Sequence, residues 1–429
     1  METVLGKSMT AGTVVPPGDK SISHRAAFLG ALSVHGIRVD NFSPGADCAS
    51  TLKCLSLLGC DVSMDGSRVG VSKGRFFAAP QTILDAGNSG TTARLLVGLL
   101  AGIPGIFAIL SGDKSLRARP MGRVVHPLQS MGAKIDGTDG GERLPLAIRG
   151  VRLSGGEHIP SAASAQVKTA LLLAGLSASG STTVREPLAT RDHTERMLSF
   201  LQVPVLKDKN SVTIYPCSEV PGGSWIIPGD FSAAAFWIVA GLLSSERGLE
   251  IRNTGVNPTR TGMLEVLERM GAVPEMSNLR QWGGEEVADI RIGKTHLTST
   301  RVDACEVPLM VDELPLIALA ATQADGVTEI SGAGELRVKE CDRIHAVAEG
   351  LSALGAKITE KDDGWIIEGP CSLSGGRVRT YHDHRMVMTF SIASLVAEGA
   401  VLPDETESAG ISDPAFMREL ARLTGGNVA

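Results

Sequence analysis

The feature that most restricts how this chain can fold is a phrase that recurs about every seventy residues. An apolar helix tail runs into Gly, a small residue and an alternating strand. It reads Leu57-Leu58-Gly59-Cys60-Asp61-Val62, Ser130-Met131-Gly132-Ala133-Lys134-Ile135, Arg269-Met270-Gly271-Ala272-Val273 and Leu354-Gly355-Ala356-Lys357-Ile358. Two degenerate copies are Leu201-Gln202-Val203-Pro204-Val205 and Leu423-Thr424-Gly425-Gly426-Asn427-Val428. Markers at 59, 132, 203, 271, 355 and 425 lie 73, 71, 68, 84 and 70 residues apart, which gives six units of similar length. The marker Gly is expected to cap a helix in the left-handed region, with a strand after it. Upstream, each unit carries a second apolar helix, near 26–31, 93–101, 167–176, 233–243, 314–321 and 386–396. A chain of 429 residues can bury two cores, so three units in each of two similar α/β domains are expected.

Composition excludes several other classes. Apolar residues make up 43% of the chain and the 50 glycines follow no three-residue period, so neither disorder nor a collagen-like array fits. Aromatic residues are only 4% and the net charge is -6, which disfavours a nucleic-acid partner. The longest uncharged stretch, 95–112, is broken by Gly102-Ile103-Pro104-Gly105, so no membrane span is expected. The start Met-Glu-Thr-Val has no basic, then apolar pattern of a leader, and seven cysteines form no Cys-x-x-Cys pair. A cytoplasmic protein with reduced thiols is the expectation. Any anion site must be a local basic cluster.

Polar residues recur in step with the markers. Lys20, Gly90, Ser164, Asp230, Asp312 and His384 lie 39 to 43 residues before them, at the start of each unit's first helix. Asp47, Arg119, Arg191, Thr259, Arg343 and Asp413 lie 12 or 13 before them, near the start of the second. Helix N-termini present unpaired N–H groups and partial positive charge, so their convergence makes an anion site. An ordinary N-cap accounts for any one position. Lys, Arg and His at several of them do not fit capping chemistry, which favours Ser, Thr, Asp and Asn.

Local motifs sharpen this. Gly18-Asp19-Lys20-Ser21-Ile22-Ser23-His24-Arg25 resembles a phosphate loop without nucleotide-binding spacing, and Gly87-Asn88-Ser89-Gly90-Thr91-Thr92 suits a backbone nest. Lys114, Arg117, Arg119 and Arg123 surround Pro120, and Arg grips carboxylate or phosphate with a planar fork. In the run 336–343, Lys339 and Arg343 are expected on one helical face at i,i+4, with Glu340 beside them. Asp312, in Val311-Asp312-Glu313, is either a cap or a general base. The His-x-His of Tyr381-His382-Asp383-His384-Arg385 has no further ligand cluster to complete a metal site.

Taken together with Arg119-Pro120-Met121, Ser164-Ala165-Gln166, Arg337-Val338-Lys339-Glu340-Cys341-Asp342-Arg343 and Asp383-His384-Arg385-Met386, these phrases resemble the enolpyruvyl transferase family, in order across almost the whole chain. The resemblance implies two inside-out α/β barrel domains, each of three repeated βαβαββ-type units. One holds residues 1–18 with 228–429, the other 19–227, and substrates bind in a cleft between them. It implies transfer of the enolpyruvyl group of phosphoenolpyruvate to the 5-hydroxyl of shikimate 3-phosphate, with no metal or organic cofactor and a monomeric enzyme. Both substrates are phosphorylated carboxylates, and one unit pair of like charges at about 5 Å and a dielectric of about 20 already costs ~3 kcal/mol, hence the cations.

By the same resemblance, Lys20, Gly90, Arg119, Gln166, Arg343 and Arg385 hold phosphoenolpyruvate. Lys20, Ser21, Arg25, Ser164, Ala165 (through its backbone), Gln166, Arg191, Asp312 and Lys339 hold shikimate 3-phosphate. Glu340 is the acid, then base, at the methylene carbon; Asp312 takes the hydroxyl proton; Lys20 and His384 stabilise phosphate or relay protons. Where many relatives have Lys before a Ser/Thr-Phe-Pro phrase, this chain has Ile411-Ser412-Asp413-Pro414, and Ala189-Thr190-Arg191-Asp192-His193 resembles the family's second class. Two alternatives stand beside this reading. The sibling activity on UDP-N-acetylglucosamine usually has a reactive Cys before the Arg-Pro phrase, and 112–119 contains none. A silent anion-binding relative would not need Lys20, Asp312, Glu340 and His384 together.

Overall fold

In the computed structural model of the chain, which describes residues 9–74, 77–161 and 163–426, the repeat becomes a short sheet of fixed strand order. Ile37–Asp40 pairs in parallel with the edge strand Gly223–Ile226 and antiparallel with Arg68–Ser72, which pairs antiparallel with Asp61–Asp65. The same order recurs around Phe107–Ser111, Thr182–Arg185, Leu249–Gly255 and Ala324–Ile330. The sixth sheet is only the parallel pair Gly376–Val378 and Val401–Pro403 among the described residues. Alternation fixes the faces. In Arg143–Arg149, Leu144, Leu146 and Ile148 point inward and the residues between them outward or sideways. None of these sheets closes on itself, so the units are built of separate open sheets rather than closed barrels.

The chain divides into two units, each with its own hydrophobic core. The inserted unit is Gly18–Ile227 with Gln281–Glu285; the split unit is Met1–Pro17 with Pro228–Arg280 and Glu286–Ala429. The inserted unit carries α1 (Lys20–Ala31), α2 (Ala46–Leu57), α3 (Gly90–Ala101), α4 (Lys114–Ala118), α5 (Gly122–Ser130), α6 (Ala165–Leu176) and α7 (His193–Phe200). The split unit carries α8 (Phe231–Ser244), α9 (Gly262–Arg269), α10 (Leu314–Ala321), α11 (Arg343–Ala353), α12 (His384–Ala393) and α13 (Phe416–Thr424).

The first helix of each repeat, namely α1, α3, α6, α8, α10 and α12, is buried on nearly every side. Such helices need apolar residues all round, which their sequences supply. They also need small contacts: a Cβ on Gly98 of α3 would lie 2.3 Å from the Ala170 carbonyl oxygen of α6. The second helices show one apolar stripe, as in α9 and α13. Marker glycines 59, 132, 271, 355 and 425 have φ between 66° and 99°, as a helix stop requires. In the degenerate third copy Gln202 takes that role at φ 60°, one residue ahead of the Val203 marker. The strand expected after the last marker falls partly on 427–429, outside the described residues.

The chain leaves the split unit after the strand Gly12–Val14, which pairs in parallel with Leu249–Ile251. Within the inserted unit, first and last strands are neighbours, Ile37–Asp40 beside Gly223–Ile226, and the Asn41 amide donates to the Ile227 carbonyl at 2.9 Å. Gly18 passes so close to Asn41 that a Cβ would fall 1.7 Å from its carbonyl oxygen, so only Gly fits.

Candidate active site

In the inserted unit the N-termini of α1, α3 and α6 meet. Asp19 caps α1 by accepting from the Ile22 amide at 2.8 Å, Ser89 caps α3, and Ser164 caps α6. The side chains that follow the caps then cross-link the helices. Arg25, buried, donates through Nε to Thr194 Oγ1 at 2.8 Å, and through its other nitrogens to the Ser21 carbonyl, Thr169 Oγ1 and the Ala165 carbonyl. Gln166 donates to Thr91 Oγ1 at 2.9 Å and accepts from Arg94 at 2.5 Å. Arg94 also reaches the Pro120 carbonyl at 3.1 Å. The Arg119 guanidinium lies over Gly90, where an added Cβ would be 3.3 Å from Arg119 Nη1 and 2.8 Å from Arg94 Nη1. Lys20 is half-buried and 3.0 Å from Asp47. The structure therefore gathers Lys20, Ser21, Arg25, Gly90, Arg119, Ser164, Ala165 and Gln166 at one end of a helix triplet. Arg191 sits two residues before α7, which joins the same network through Thr194.

Behind this surface runs a chain of neutral groups. His24 Nδ1 is 2.8 Å from Thr51 Oγ1, which is 2.6 Å from Thr92 Oγ1, which donates to the Ser89 hydroxyl at 2.7 Å. Burial, with Lys20 and Arg25 nearby, outweighs Asp47 and lowers the His24 pKa to about 3. His24 is therefore neutral at ordinary pH. Burial also lowers Arg25 to about 10, which leaves it protonated.

The split unit arranges its charges differently. Arg343, first residue of α11 and almost fully buried, lies 2.8 Å from Asp383, 2.7 Å from Glu340 and 3.2 Å from Asp312. Those three carboxylates raise its pKa against the desolvation that would lower it, so the guanidinium is permanently charged. Asp383 is fully buried; burial would raise its carboxyl, but Arg343 outweighs that and the net shift is downward. Lys339 approaches Asp312 at 3.5 Å, and Arg385 donates to the Asp312 carbonyl at 3.1 Å. His384 is buried, with its Nδ1 3.9 Å from Asp383. One expectation fails. Lys339 is not on the helix of Arg343, because Asp342 caps α11 and Lys339 is extended after the 3-10 turn Gly334–Val338. The two cations meet anyway, on the same Asp312 oxygen.

Sequence reasoning missed four participants. Arg94 is a lone cation in an otherwise apolar helix, a signal that was present. Lys168 in α6 is another. Asp383 stands in the sequence only inside the His-x-His phrase and the family phrase Asp383-His384-Arg385-Met386, with no role of its own. The fourth is the buried trio of Ser232, Arg260 and Glu313, in which Ser232 accepts from Arg260 at 2.6 Å and donates to Glu313. Those three are distant in sequence, so no local pattern marks them.

Comparison with known proteins gives one answer. The family model described as EPSP synthase (3-phosphoshikimate 1-carboxyvinyltransferase) matches residues 4–420. The 3-phosphoshikimate 1-carboxyvinyltransferase of Desulforudis audaxviator (strain MP104C) is 47% identical over 412 residues, covering 95% of each chain. That of Bacillus cereus (strain 03BB102) is 45% identical over 415 residues, covering 96% of each. The solved EPSP synthase from Acinetobacter baumannii matches with TM-score 0.87 at 38% identity, over 98% of this chain and 97% of that one. Helix-end clusters of this kind, carried on a sequence this similar, leave one assignment: the chain belongs to the EPSP synthase family.

Proposed function

We propose that the protein transfers the enolpyruvyl group of phosphoenolpyruvate to the 5-hydroxyl of shikimate 3-phosphate and releases inorganic phosphate. The observation that carries this reading, beside family membership over 4–420, is the union of three helix N-termini with Lys20, Arg25, Arg94 and Arg119. Backbone N–H groups and fixed cations suit phosphate and carboxylate, the groups that both substrates carry.

In this reading Ser21, Arg25, Ser164, the Ala165 backbone, Gln166, Arg191 and Lys339 orient shikimate 3-phosphate. Gly90, Arg119, Gln166, Arg343 and Arg385 orient phosphoenolpyruvate, and Lys20 touches both. Glu340 gives its proton to the methylene carbon, which leaves C2 electrophilic. The 5-hydroxyl oxygen then bonds to C2 while its proton passes to Asp312. Asp312 lies among Lys339, Arg343 and Arg385, so it accepts that proton once bond formation has made the hydroxyl oxygen acidic. In the second half Glu340 removes a proton from the new methyl group, the C2–O bond to phosphate breaks, and the enol ether forms. Lys20 and His384 stabilise the departing phosphate. Phosphoenolpyruvate brings its own leaving group, so the scheme needs no organic cofactor or metal.

The test is to incubate the purified protein with each substrate separately and with both, following phosphate and identifying the product by mass. Release that requires both, with a product heavier than shikimate 3-phosphate by one enolpyruvyl group, supports the reading. Release with UDP-N-acetylglucosamine instead, or none in folded protein, refutes it.

A further inference from the structure

A second buried ion cluster lies in the inserted unit, beside the residues assigned above but outside the reaction scheme. Lys168, on α6, has a side chain only 2% exposed. Its Nζ is 2.7 Å from Glu195 of α7 and 2.8 Å from Glu186, and donates to the Thr190 carbonyl at 3.5 Å. Glu186 in turn accepts from the Thr190 hydroxyl. Burying an ammonium among apolar helices is costly unless carboxylates face it, and here two do. Their pull outweighs desolvation and raises the Lys168 pKa, so the cation is retained.

The arrangement has a direction. Glu186 opens and Asp192 closes the 186–192 connection between the strand Thr182–Arg185 and α7. Lys168 grips Glu186 at one end and Thr190 near the other, while Asp192 accepts from Arg196 at 2.9 Å and Lys207 at 2.5 Å. Arg191 is the residue between these two anchors. One turn of contacts also joins neighbours of the cluster: Thr169, next to Lys168, bonds Thr194, next to Glu195, and both bond Arg25. A connection of seven residues without regular structure would otherwise sample many backbone states, and holding it in one of them costs conformational entropy.

We infer that Lys168 is a positioning residue for shikimate 3-phosphate recognition: its ammonium ties Glu186 and Thr190 of the 186–192 connection together and so fixes the neighbouring Arg191 side chain where the substrate binds. The inference rests on the proposed function for the identity of the ligand. Lys168 itself touches no substrate; it acts through Arg191. Because it does so, its effect depends on Arg191 being present, which a merely structural role does not require.

The experiment is a double-mutant cycle read by calorimetric binding of shikimate 3-phosphate alone, with melting temperature as a check on folding. Lys168→Met keeps length and removes charge. We expect it to weaken binding at least tenfold in the parent background and less than twofold in an Arg191→Met background. A loss under threefold in the parent, or the same factor in both backgrounds, overturns the inference. If Lys168→Met does not fold, Thr190→Val removes only the hydroxyl that Glu186 accepts; a weakening of about threefold that again vanishes without Arg191 is expected, and no weakening overturns it. Parent protein that binds shikimate 3-phosphate but turns nothing over refutes the transferase reading and leaves this one standing. Parent protein that does not bind it refutes both.

Discussion

Replacing Arg343 by Met tests the electrostatic account of the split unit most directly. The guanidinium holds three carboxylates at 2.7 to 3.2 Å, and one of them, Asp383, is fully buried. Methionine fills similar space without charge, so the loss is of compensation more than of packing. Removing one partner of a buried pair costs about 3–5 kcal/mol. At roughly 2–4 °C per kcal/mol for a unit of this size, the split unit should melt roughly 6–20 °C lower near neutral pH. The pH dependence carries the argument. Asp383 has its carboxyl held below the ordinary range, so in the parent its contribution is present above about pH 4 and disappears as the pH falls through the folded value. In Arg343→Met burial and the nearby Glu340 outweigh what opposition is left, His384 and the Arg385 amide, so the carboxyl is pushed up and the orphan is neutralised by mild acid. The gap between parent and variant should therefore be widest near pH 7 and narrow toward pH 4.5. Calorimetric melting across that range measures it, and adding Asp383→Asn to Arg343→Met should recover about half of the loss at pH 7. A gap that does not change with pH, or one below about 2 °C, refutes the reasoning.

Three other outcomes follow from the same geometry. In Gly90→Ala the new methyl lies 2.8 Å from Arg94 Nη1, which Gln166 and Pro120 hold in place, so moving it strains bonds worth about 1–2 kcal/mol; KM for phosphoenolpyruvate should rise about 5- to 30-fold in steady-state kinetics, and an unchanged KM would falsify the contact. His24, with a folded pKa of about 3, protonates first in the unfolded chain, so stability falls as the pH drops from about 6.5 toward 3; in urea titrations at pH 6.5 and 5, His24→Gln should flatten that decline by about 1–2 kcal/mol, and an identical slope counts against a buried neutral imidazole. Glu340→Gln should lower turnover about 10²- to 10³-fold while KM for both substrates stays within about threefold, and equal losses in binding and turnover remove Glu340 from the acid role.

The six repeats and their first helices were legible because both rest on local chemistry. A Gly after an apolar helix tail stops the helix, and an apolar run of ten or so residues buries a helix on all sides. The exception shows the limit: Gln202 adopts the left-handed angle that Gly takes elsewhere, so the marker there was displaced by one residue. Lys20, Arg119, Arg343 and His384 stand out because cations are unusual at positions where capping chemistry favours Ser, Thr, Asp or Asn, whereas Gln166 is marked only by the family phrase Ser164-Ala165-Gln166. Lys339 was placed on a helix because spacing alone cannot see that Asp342 caps α11 and starts it four residues later. The pairings of Asp383, Glu313 and Arg260 are unmarked for another reason. They reach across up to 81 positions, as between Ser232 and Glu313, and no period in the sequence encodes them.

The strand Gly12–Val14 waits for a partner, Leu249–Ile251, that emerges from the ribosome more than two hundred residues later. As an open chain, the intervening stretch would impose a large closure entropy on that pairing. Once the inserted unit has folded, its first and last strands lie side by side, and the Asn41 amide holds the exit at Ile227. The long stretch then behaves as a tether of a few tens of residues. Since closure entropy grows as (3/2)RT ln n, a tenfold shorter effective loop lowers the cost by about 2 kcal/mol. Synthesis order thereby becomes assembly order: the 18–227 part of the inserted unit can fold first, and in doing so delivers the two ends of the split unit to each other.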